Sequence, residues 1–217
     1  RDAGELWDKY PVEQVATPEG YARNPELVIN FYNERRKQLL DVVPNAGHLG
    51  VADLERDFNV TVVTQNVDNL HERAGSTHVI HLHGELTKVC SSRDPYNPHF
   101  VKELAPEEYE VKLGDKAGDG TQLRPFIVWF GESVPEIETA IRYVEQADIF
   151  VIIGTSLNVY PAAGLLNYVP RAAEVYLIDP KPVDTHVMRP IHVIQKGASE
   201  GVKELKALLT ATQPPLP

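Results

Sequence analysis

Polar clusters follow three short apolar runs of this 217-residue sequence. Gln65, Asn66 and Asp68 come after FNVTVVT, a group of histidines lies in and around HVIHL, and GTSLN contains the end of IFVIIG. Amide and carboxylate groups can bind sugar hydroxyls and an amide, whereas a hydroxyl beside backbone N–H groups can bind a phosphate. An imidazole adds a base that works near neutral pH. These residue types predict chemistry on a nucleotide-like ligand.

The three histidines of HVIHLHGEL are expected to differ in their roles. His78 precedes the apolar run and is expected at the surface, whereas His81 lies within the run and fits a core position. His83 stands at the end of the run, directly before Gly84, where its side chain can reach a cleft as a general base. The spacing H-x-x-H-x-H does not match HExxH, so we expect no metal site here.

Purely structural roles remain open for the other two clusters. Asn66, Asp68 or Asn69 could cap the helix predicted over DNLHERAG, and GTS could be a turn with a hydroxyl cap. The residues by themselves do not choose between a cap and a ligand site.

Six short β-rich runs alternate with helical patterns and would position these clusters. Most of the runs are continuously apolar, as in parallel strands that are covered on both faces. The alternation predicts an α/β fold with an open, doubly wound, Rossmann-type parallel sheet, in which ligands bind beyond the carboxyl ends of the strands. The runs cover 58–64, 78–82, 126–130, 149–154, 174–179 and 191–195, and the helical patterns cover 135–147, 161–169 and 198–209.

Two segments interrupt the alternation and predict a smaller module. Residues 17–57 carry two helical patterns with no strand between them, and Pro25 suits the first turn of a helix. Residues 87–124 are polar, rich in Pro, Gly, Asp and Lys, and lack strong periodicity. We therefore expect a discontinuous Rossmann-type domain over 1–16, 58–86 and 125–217, with 17–57 and 87–124 forming a small helical and loop module inserted into it.

The composition disfavours several functional classes. A formal net charge of -10, without a block of basic residues, argues against nucleic-acid binding. No apolar stretch approaches the roughly 18 residues that a membrane span needs. Cys90 is the only cysteine, which excludes an internal disulfide and a cysteine-only zinc site and suits a reducing cytoplasm.

Taken together, the motifs resemble the sirtuin family of NAD-dependent protein deacylases. The segments QNVDNLHERAG, HLHGEL, WFGE and GTSLNVYPAAG occur in that family's order and spacing, and the similarity covers nearly the whole chain. Each segment is a weak signal, whereas the set is highly specific. The resemblance implies NAD as co-substrate and acyl-lysine proteins or peptides as partners. It implies nicotinamide, O-acyl-ADP-ribose and free lysine as products.

The resemblance also implies roles for individual residues. His83 would be the catalytic general base, acting through a ribose hydroxyl of NAD. Cofactor binding is implied for Arg1, Gln65, Asn66, Val67, Asp68, Gly154, Thr155, Ser156, Asp179 and Ala198. Substrate binding is implied for Ala16, Tyr32, Arg35, Phe130, Gly131, Glu132 and Val159. The extended peptide would pair with strand-like edges of the protein.

Tyr32 and Arg35 bear on the kind of acyl group. Their i, i+3 spacing places both on one helix face. The resemblance is to the branch of the family in which such a pair binds succinyl and malonyl groups. Arg35 can pair bidentately with the carboxylate, Tyr32 can add a hydrogen bond, and Ala16 leaves room for a longer acyl chain. Without the resemblance, an exposed arginine and a packed tyrosine are the simpler interpretation.

Two departures from the family pattern carry further expectations. Most members bind a structural zinc through two cysteine pairs, whereas Cys90 is alone here, so we expect no zinc. The family opens with an apolar strand and a GAGxSxxSGIPxF loop, and no such segment precedes Arg1. We therefore expect the native product to be longer, and expect weak NAD binding and low activity from a chain that begins at Arg1.

Two alternative functions stay open at this point. One is a non-catalytic module that binds acyl-lysine peptides, and the other is a sirtuin-like ADP-ribosyltransferase that labels protein. Peptide binding without turnover would favour the first, and protein-bound ADP-ribose would favour the second. The Tyr32 and Arg35 pair favours deacylation over both.

Overall fold

The computed structural model describes residues 4–155, 162–183 and 187–211. The chain divides into two compact units, of which the first comprises Arg1–Val43, Thr64–Asn69 and His81–Pro135. The second unit comprises Pro44–Val63, Leu70–Ile80 and Glu136–Pro217. These two units have other boundaries than the domains expected from the sequence, which were drawn from the order of predicted strands and helices along the chain. The expected domains stay a prediction.

Four helices in the first unit precede its sheet. They are α1 (Gly4–Lys9), α2 (Val12–Val15), α3 (Pro18–Arg23) and α4 (Pro25–Leu40). The Thr17 hydroxyl caps α3 by accepting the Gly20 N–H at 2.9 Å, and the Asn24 side chain caps α4 by accepting the Leu27 N–H at 3.2 Å. Each cap is followed by a proline at the first helical position, where its missing N–H costs nothing. The expectation that Pro25 opens a helix is confirmed.

The long helix α4 carries both apolar and polar buried side chains. Ile29 packs into a core cluster with Val89, Leu104 and Val111. The Asn33 side chain donates to the Val111 carbonyl at 2.8 Å and accepts the Val111 N–H at 3.0 Å. The polar segment around Val111 is therefore fixed to the helix by an amide that replaces a strand partner.

An antiparallel sheet lies where the sequence indicated an irregular module. Its strands β3 (Gly84–Ser91), β4 (Val101–Glu103) and β5 (Leu123–Ile127) are arranged in the order β4-β3-β5. The strand expected over 126–130 therefore begins earlier and ends at Ile127. The chain leaves the sheet there because the Glu132 side chain accepts the Trp129 N–H at 2.8 Å, which closes a turn over 129–132.

Hydroxyl and carboxylate groups connect the loops of this sheet. The Ser91 hydroxyl donates to Asp119 at 2.5 Å and accepts the backbone N–H groups of Arg93 and Asp94 at 3.0 and 2.9 Å. The bonds from Ser91 and Thr121 lower the pKa of the Asp119 carboxyl to about 2. A charged, hydrogen-bonded carboxylate thus ties two loops of the first unit together.

The second unit contains a parallel sheet. Strands β6 (Ile149–Ile153), β7 (Glu174–Ile178) and β8 (His192–Ile194) pair in sequence order. Their last residues, Ile153, Ile178 and Ile194, are opposite one another in the register. The described helices of this unit are α5 (Ala46–Asp53), α6 (Leu70–Arg73), α7 (Ile137–Val144), α8 (Ala162–Leu166) and α9 (Ala198–Ala211).

The core of the second unit packs α5 and α9 against this sheet. The cluster contains Val51, Leu54, Ile178, Ile194, Val202, Leu205 and Leu209. A Cβ on Gly201 would meet Ile178 Cγ2 at 2.2 Å, so glycine is what lets α9 lie this close to β7. The predicted α/β class, with parallel strands and helices alternating along the chain, is confirmed.

Two further strands form a sheet of their own. They are β1 (Val62–Thr64) and β2 (Val79–His81), and both are shorter than the runs expected over 58–64 and 78–82. The Val62 N–H donates to the His78 carbonyl and the Leu82 N–H donates to the Thr64 carbonyl, both at 3.0 Å. Among the described helices, none has the length and apolar character needed to cross a membrane.

Candidate active site

The loop after β1 is held in place by the segment that contains the histidines. Three successive carbonyls of the loop accept hydrogen bonds. Gln65 O lies 3.2 Å from His83 Nδ1, Asn66 O lies 3.0 Å from His81 Nδ1, and Val67 O accepts the Leu86 N–H at 2.7 Å. The alternating histidines therefore fix the backbone of the polar loop, which explains why they stand so close together in sequence.

The bond to Gln65 determines how His83 can act. A carbonyl oxygen can only accept, so His83 must carry its proton on Nδ1 in the neutral ring. The lone pair is then on Nε2, which can take a proton from a ligand. The His83 side chain is half-buried, whereas His81 is 8% exposed and occupies the core position expected of it. His78, expected at the surface, is half-buried and lies 3.0 Å from the Thr61 hydroxyl.

Backbone geometry on both sides fixes the position of His83. The Val128 N–H donates to the His83 carbonyl at 2.9 Å. Gly84 has φ +87°, and a Cβ there would lie 2.1 Å from the Phe126 carbonyl oxygen. Only glycine therefore allows β5 to approach the chain at this point, and the histidine is anchored to a strand rather than to a free loop.

Some side chains of the polar loop have no hydrogen-bond partner among the residues that the structure describes. The amides of Gln65 and Asn66 form no hydrogen bond with a residue that the structure describes, and Asn69 Oδ1 is buried without one. Buried polar atoms are normally paired, so such atoms indicate a place for a polar ligand or water. Asp68 differs, because it acts on the Arg35 guanidinium: burial lowers the pKa of that group, and Tyr32 and Asp68 offset part of the decrease.

Arg35 and Tyr32 lie together on α4, as their spacing predicts. The Arg35 guanidinium carbon lies 5.2 Å from the centre of the Trp7 ring and 5.8 Å from that of Tyr32. Burial lowers the pKa of Arg35, and its side chain forms no hydrogen bond or ion pair with any described residue. Its neighbour Arg36 is different, since it donates to the Tyr109 and Leu86 carbonyls and to the Asn33 side chain.

The turn after β5 lies against the end of α2. The Phe130 N–H donates to the Ala16 carbonyl at 3.0 Å, which brings together two residues implied in substrate binding. Phe130 is 69% exposed and Ala16 is 5% exposed. Gly131 is exposed and has φ +90°. The Glu132 carboxylate is engaged by Arg124, with two contacts of 3.1 Å, so its structural task is to hold the turn.

Other candidate cofactor residues lie in the second unit. Gly154 follows β6 with φ +68° and donates its N–H to the Ile178 carbonyl at 3.1 Å. Asp179 follows β7, and its carboxylate accepts the Lys181 N–H at 2.8 Å. Ala198 begins α9, after β8, and Thr155 is half-buried beside Gly154. The parallel register brings these strand ends to one edge, where ligands of such sheets bind.

Three of the residues implied in binding have no described position. Arg1, Ser156 and Val159 lie outside the described residues. Two tryptophans contact residues of the candidate site in a way that the sequence did not predict, although Trp129 belongs to the WFGE segment that the resemblance places beside the peptide. Trp7 lies against Arg35, and the Trp129 indole donates to the Tyr32 hydroxyl at 3.0 Å. The contact between Tyr32 and Trp129 has no local sequence signal, because the two positions are 97 residues apart.

Cys90 has the environment of an unreactive core thiol. It is fully buried, and burial raises the pKa of its thiol to about 12. Zinc binds the thiolate form, which this environment disfavours. The expectation of no structural zinc stays a prediction, now with a physical reason at the one cysteine.

Comparison with protein families matches residues 1–161 to the Sir2 family. The chain belongs to the Sir2 family. A Bacteroides thetaiotaomicron protein named NAD-dependent protein deacylase is 84% identical to this Sir2 protein over 209 residues, 96% of this chain and 89% of that one. A Helicobacter pylori protein of the same name is 46% identical over 205 residues, 94% of this chain and 87% of that one.

A solved structure supports the same assignment. The crystal structure of a Sir2 homolog–NAD complex is 37% identical and has a TM-score of 0.78, covering 96% of this chain and 82% of that one. The family resemblance read from the motifs of this Sir2 protein is therefore confirmed, and so is its fold class.

Proposed function

We propose that this Sir2 protein is an NAD-dependent protein-lysine deacylase that prefers acyl groups ending in a carboxylate, such as succinyl and malonyl. The activity is supported by the names of its 84% and 46% identical relatives. The acyl preference is supported by the surroundings of Arg35. Its substrates would be acyl-lysine proteins or peptides, and we place it in the cytoplasm because its one cysteine suits a reducing compartment.

The polar groups of each unit suit parts of NAD. In the first unit, the side-chain amides of Gln65 and Asn66, which bond no described residue, and the buried Asn69 Oδ1 can bond a ribose hydroxyl and a carboxamide. Val67 and Asp68 belong to the same loop. In the second unit, Gly154, Thr155, Asp179 and Ala198 stand at the strand ends, where phosphate and adenosine groups bind in sheets of this kind.

His83 is the residue that would move a proton. NAD, when bound, would supply the ribose carbon that takes the acyl oxygen in place of nicotinamide, and water would complete the release of O-acyl-ADP-ribose and free lysine. His83 Nε2 accepts the proton of a ribose hydroxyl, because Nδ1 is committed to the Gln65 carbonyl at 3.2 Å. The fixed loop and strand hold the imidazole in one orientation, which saves the entropy of aligning it during the reaction.

The observation that carries the acyl preference is the environment of the Arg35 guanidinium in the described part of the chain. The guanidinium is half-buried against Trp7, Phe31 and Tyr32, and it has no hydrogen-bond acceptor among the described residues. A partly desolvated arginine without an acceptor gains most from a carboxylate, which it can bind bidentately. A succinyl or malonyl group supplies that carboxylate, and an acetyl group does not.

Replacement of the guanidinium tests this preference. Arg35→Met keeps an apolar chain of similar length against the aromatic rings and removes the charge. We expect kcat/KM for a succinyl-lysine peptide to fall by about 30-fold or more, the equivalent of ~2 kcal/mol for a lost charged pair. The value for the matching acetyl-lysine peptide should fall by a much smaller factor.

Lys37→Met is the matched control. It removes the same formal charge from an exposed position of the same helix, and we expect both peptides to be turned over as by the wild type. An equal loss on both peptides in Arg35→Met would reject a carboxylate site at Arg35. Peptide binding without any turnover, or labelling of protein with ADP-ribose, would reject the deacylase assignment itself.

A further inference from the structure

We propose that Trp129 is a positioning residue for acyl selection, because its indole N–H fixes the Tyr32 hydroxyl as a hydrogen-bond donor toward the acyl end of the substrate. The inference rests on the proposed function and deepens it. It assigns a part in specificity to a residue that acts through Tyr32 and not by its own contact with the substrate.

The contact between the two side chains is buried and direct. Trp129 is 2% exposed, Tyr32 is 0% exposed, and Trp129 Nε1 lies 3.0 Å from Tyr32 Oη. An indole N–H can only donate, so the phenol oxygen accepts here. The Tyr32 O–H hydrogen cannot point at another donor and is therefore directed away from the indole.

The hydroxyl hydrogen of Tyr32 is left for a ligand. In the described part of the chain, no residue accepts a hydrogen bond from it. Burial raises the pKa of Tyr32 to about 12, so the phenol keeps its proton throughout the range of an ordinary assay. The Tyr32 ring lies 5.8 Å from the Arg35 guanidinium carbon, and a fixed donor on that ring suits the oxygen of a carboxylate, whereas the methyl group of an acetyl chain cannot use it.

Trp129 is itself held on three sides. The Glu132 carboxylate accepts its backbone N–H at 2.8 Å, and the Arg124 guanidinium carbon lies 3.8 Å from the centre of its ring. The Tyr21 ring lies against it at a centroid distance of 5.3 Å. Arg124 and Glu132 also form a partly buried ion pair, so the indole is fixed before any substrate arrives. Such prior orientation is what a specificity site needs.

A double-mutant cycle tests the inference. Trp129→Phe keeps an aromatic ring and removes the N–H, and Tyr32→Phe removes the hydroxyl. We expect Trp129→Phe to lower the succinyl-to-acetyl ratio of kcat/KM by about three- to tenfold, the range of one hydrogen bond, mainly through KM. In the Tyr32→Phe background the same change should produce no further decrease in the ratio, because the two residues act as a unit.

A closer isostere separates hydrogen bonding from packing. Benzothienylalanine introduced site-specifically at position 129 has the shape of tryptophan, with sulfur in place of the N–H. We expect it to lower the ratio as Trp129→Phe does, while leaving the melting temperature near that of the wild type. This variant keeps the proposal testable if Trp129→Phe leaves a cavity that prevents folding.

The possible outcomes distinguish the inference from the function on which it rests. An unchanged ratio in the benzothienylalanine variant, or an effect of Trp129→Phe that adds in full to that of Tyr32→Phe, would overturn the role of Trp129. If instead Tyr32→Phe and Arg35→Met both leave the ratio unchanged, the proposed carboxylate preference is wrong.

Discussion

His83 combines three features at the scale of a single residue. It follows β2, and it precedes Gly84, which has a positive φ that favours glycine. Its Nδ1 is bonded to the Gln65 carbonyl at 3.2 Å. The last feature selects the tautomer, and the tautomer places the lone pair on Nε2. A histidine in this chain can therefore serve as a base without a carboxylate partner, because a backbone carbonyl orients it.

Removal of the imidazole should abolish catalysis without unfolding the protein. For His83→Ala we expect kcat with an acyl-lysine peptide to fall by at least about 10²-fold, the usual contribution of a general base. The melting temperature should stay within a few degrees, since the side chain is only half-buried. A coupled assay of nicotinamide release measures the rate. His99→Ala, at an exposed histidine of the same unit, is the control and should keep full activity. Activity of His83→Ala near the wild-type level would contradict the assignment.

Residue types and their order identified most of the candidate site, but not its contacts. His83, Gln65, Asn66 and Asp68 could be singled out because polar groups directly after apolar runs mark strand ends. The Tyr32–Trp129 bond could not, because it joins residues 97 positions apart through a fold that no local pattern encodes. Glu132 illustrates the same limit, since its carboxylate is bonded to Arg124 and to the Trp129 N–H.

At the scale of elements, the parallel strands and part of the antiparallel strand β5 were predictable, whereas β3 and β4 were not. The runs at 149–154 and 174–179 are continuously apolar because helices cover both faces of a parallel sheet, and the structure has strands there. Strands β3 and β4 instead carry polar side chains whose partners lie in loops, as Ser91 shows by its bond to Asp119. The amino-acid composition of these strands does not show that they pair through backbone hydrogen bonds. The polar segment at 87–124 therefore suggested only loops.

The junction between His83 and β3 gives a prediction at this scale. Gly84→Ala would place a Cβ 2.1 Å from the Phe126 carbonyl oxygen, at a φ of +87°. We expect β3 and β5 to separate and the free energy of unfolding to fall by several kcal/mol, more than the ~1 kcal/mol that left-handed strain alone costs. Urea unfolding followed by circular dichroism measures the difference.

Gly114→Ala is the matched control for this substitution. Gly114 has φ +99°, and a Cβ there would meet no atom within 4 Å. It should therefore show only the cost of the strained φ. Equal losses of stability at the two glycines would mean that backbone conformation, and not the approach of β5, explains why position 84 requires glycine.

At the scale of the whole molecule, the pH dependence of the free energy of unfolding depends on ionisable groups that the fold removes from water. Burial raises the pKa of the Cys90 thiol from 9.0 to about 12 and that of the Tyr32 phenol from 10.0 to about 12. Both groups are neutral when protonated, so the folded state favours the protonated form. Their contribution is complete below the unfolded pKa values and is lost as the pH rises toward the folded ones.

The alkaline limb of the stability curve should therefore depend on Cys90. Between about pH 9 and pH 10 the unfolded chain loses the thiol proton while the folded chain keeps it, so stability should decrease by up to about 1.4 kcal/mol per pH unit from this group. Cys90→Ala lowers stability at every pH by removing a buried atom, but it should flatten this decrease. Urea unfolding at closely spaced pH values measures the slope, and the slope rather than the level is informative. Parallel curves for the two proteins would show that the thiol titrates alike in both states, and Cys90 would then have to be accessible to water.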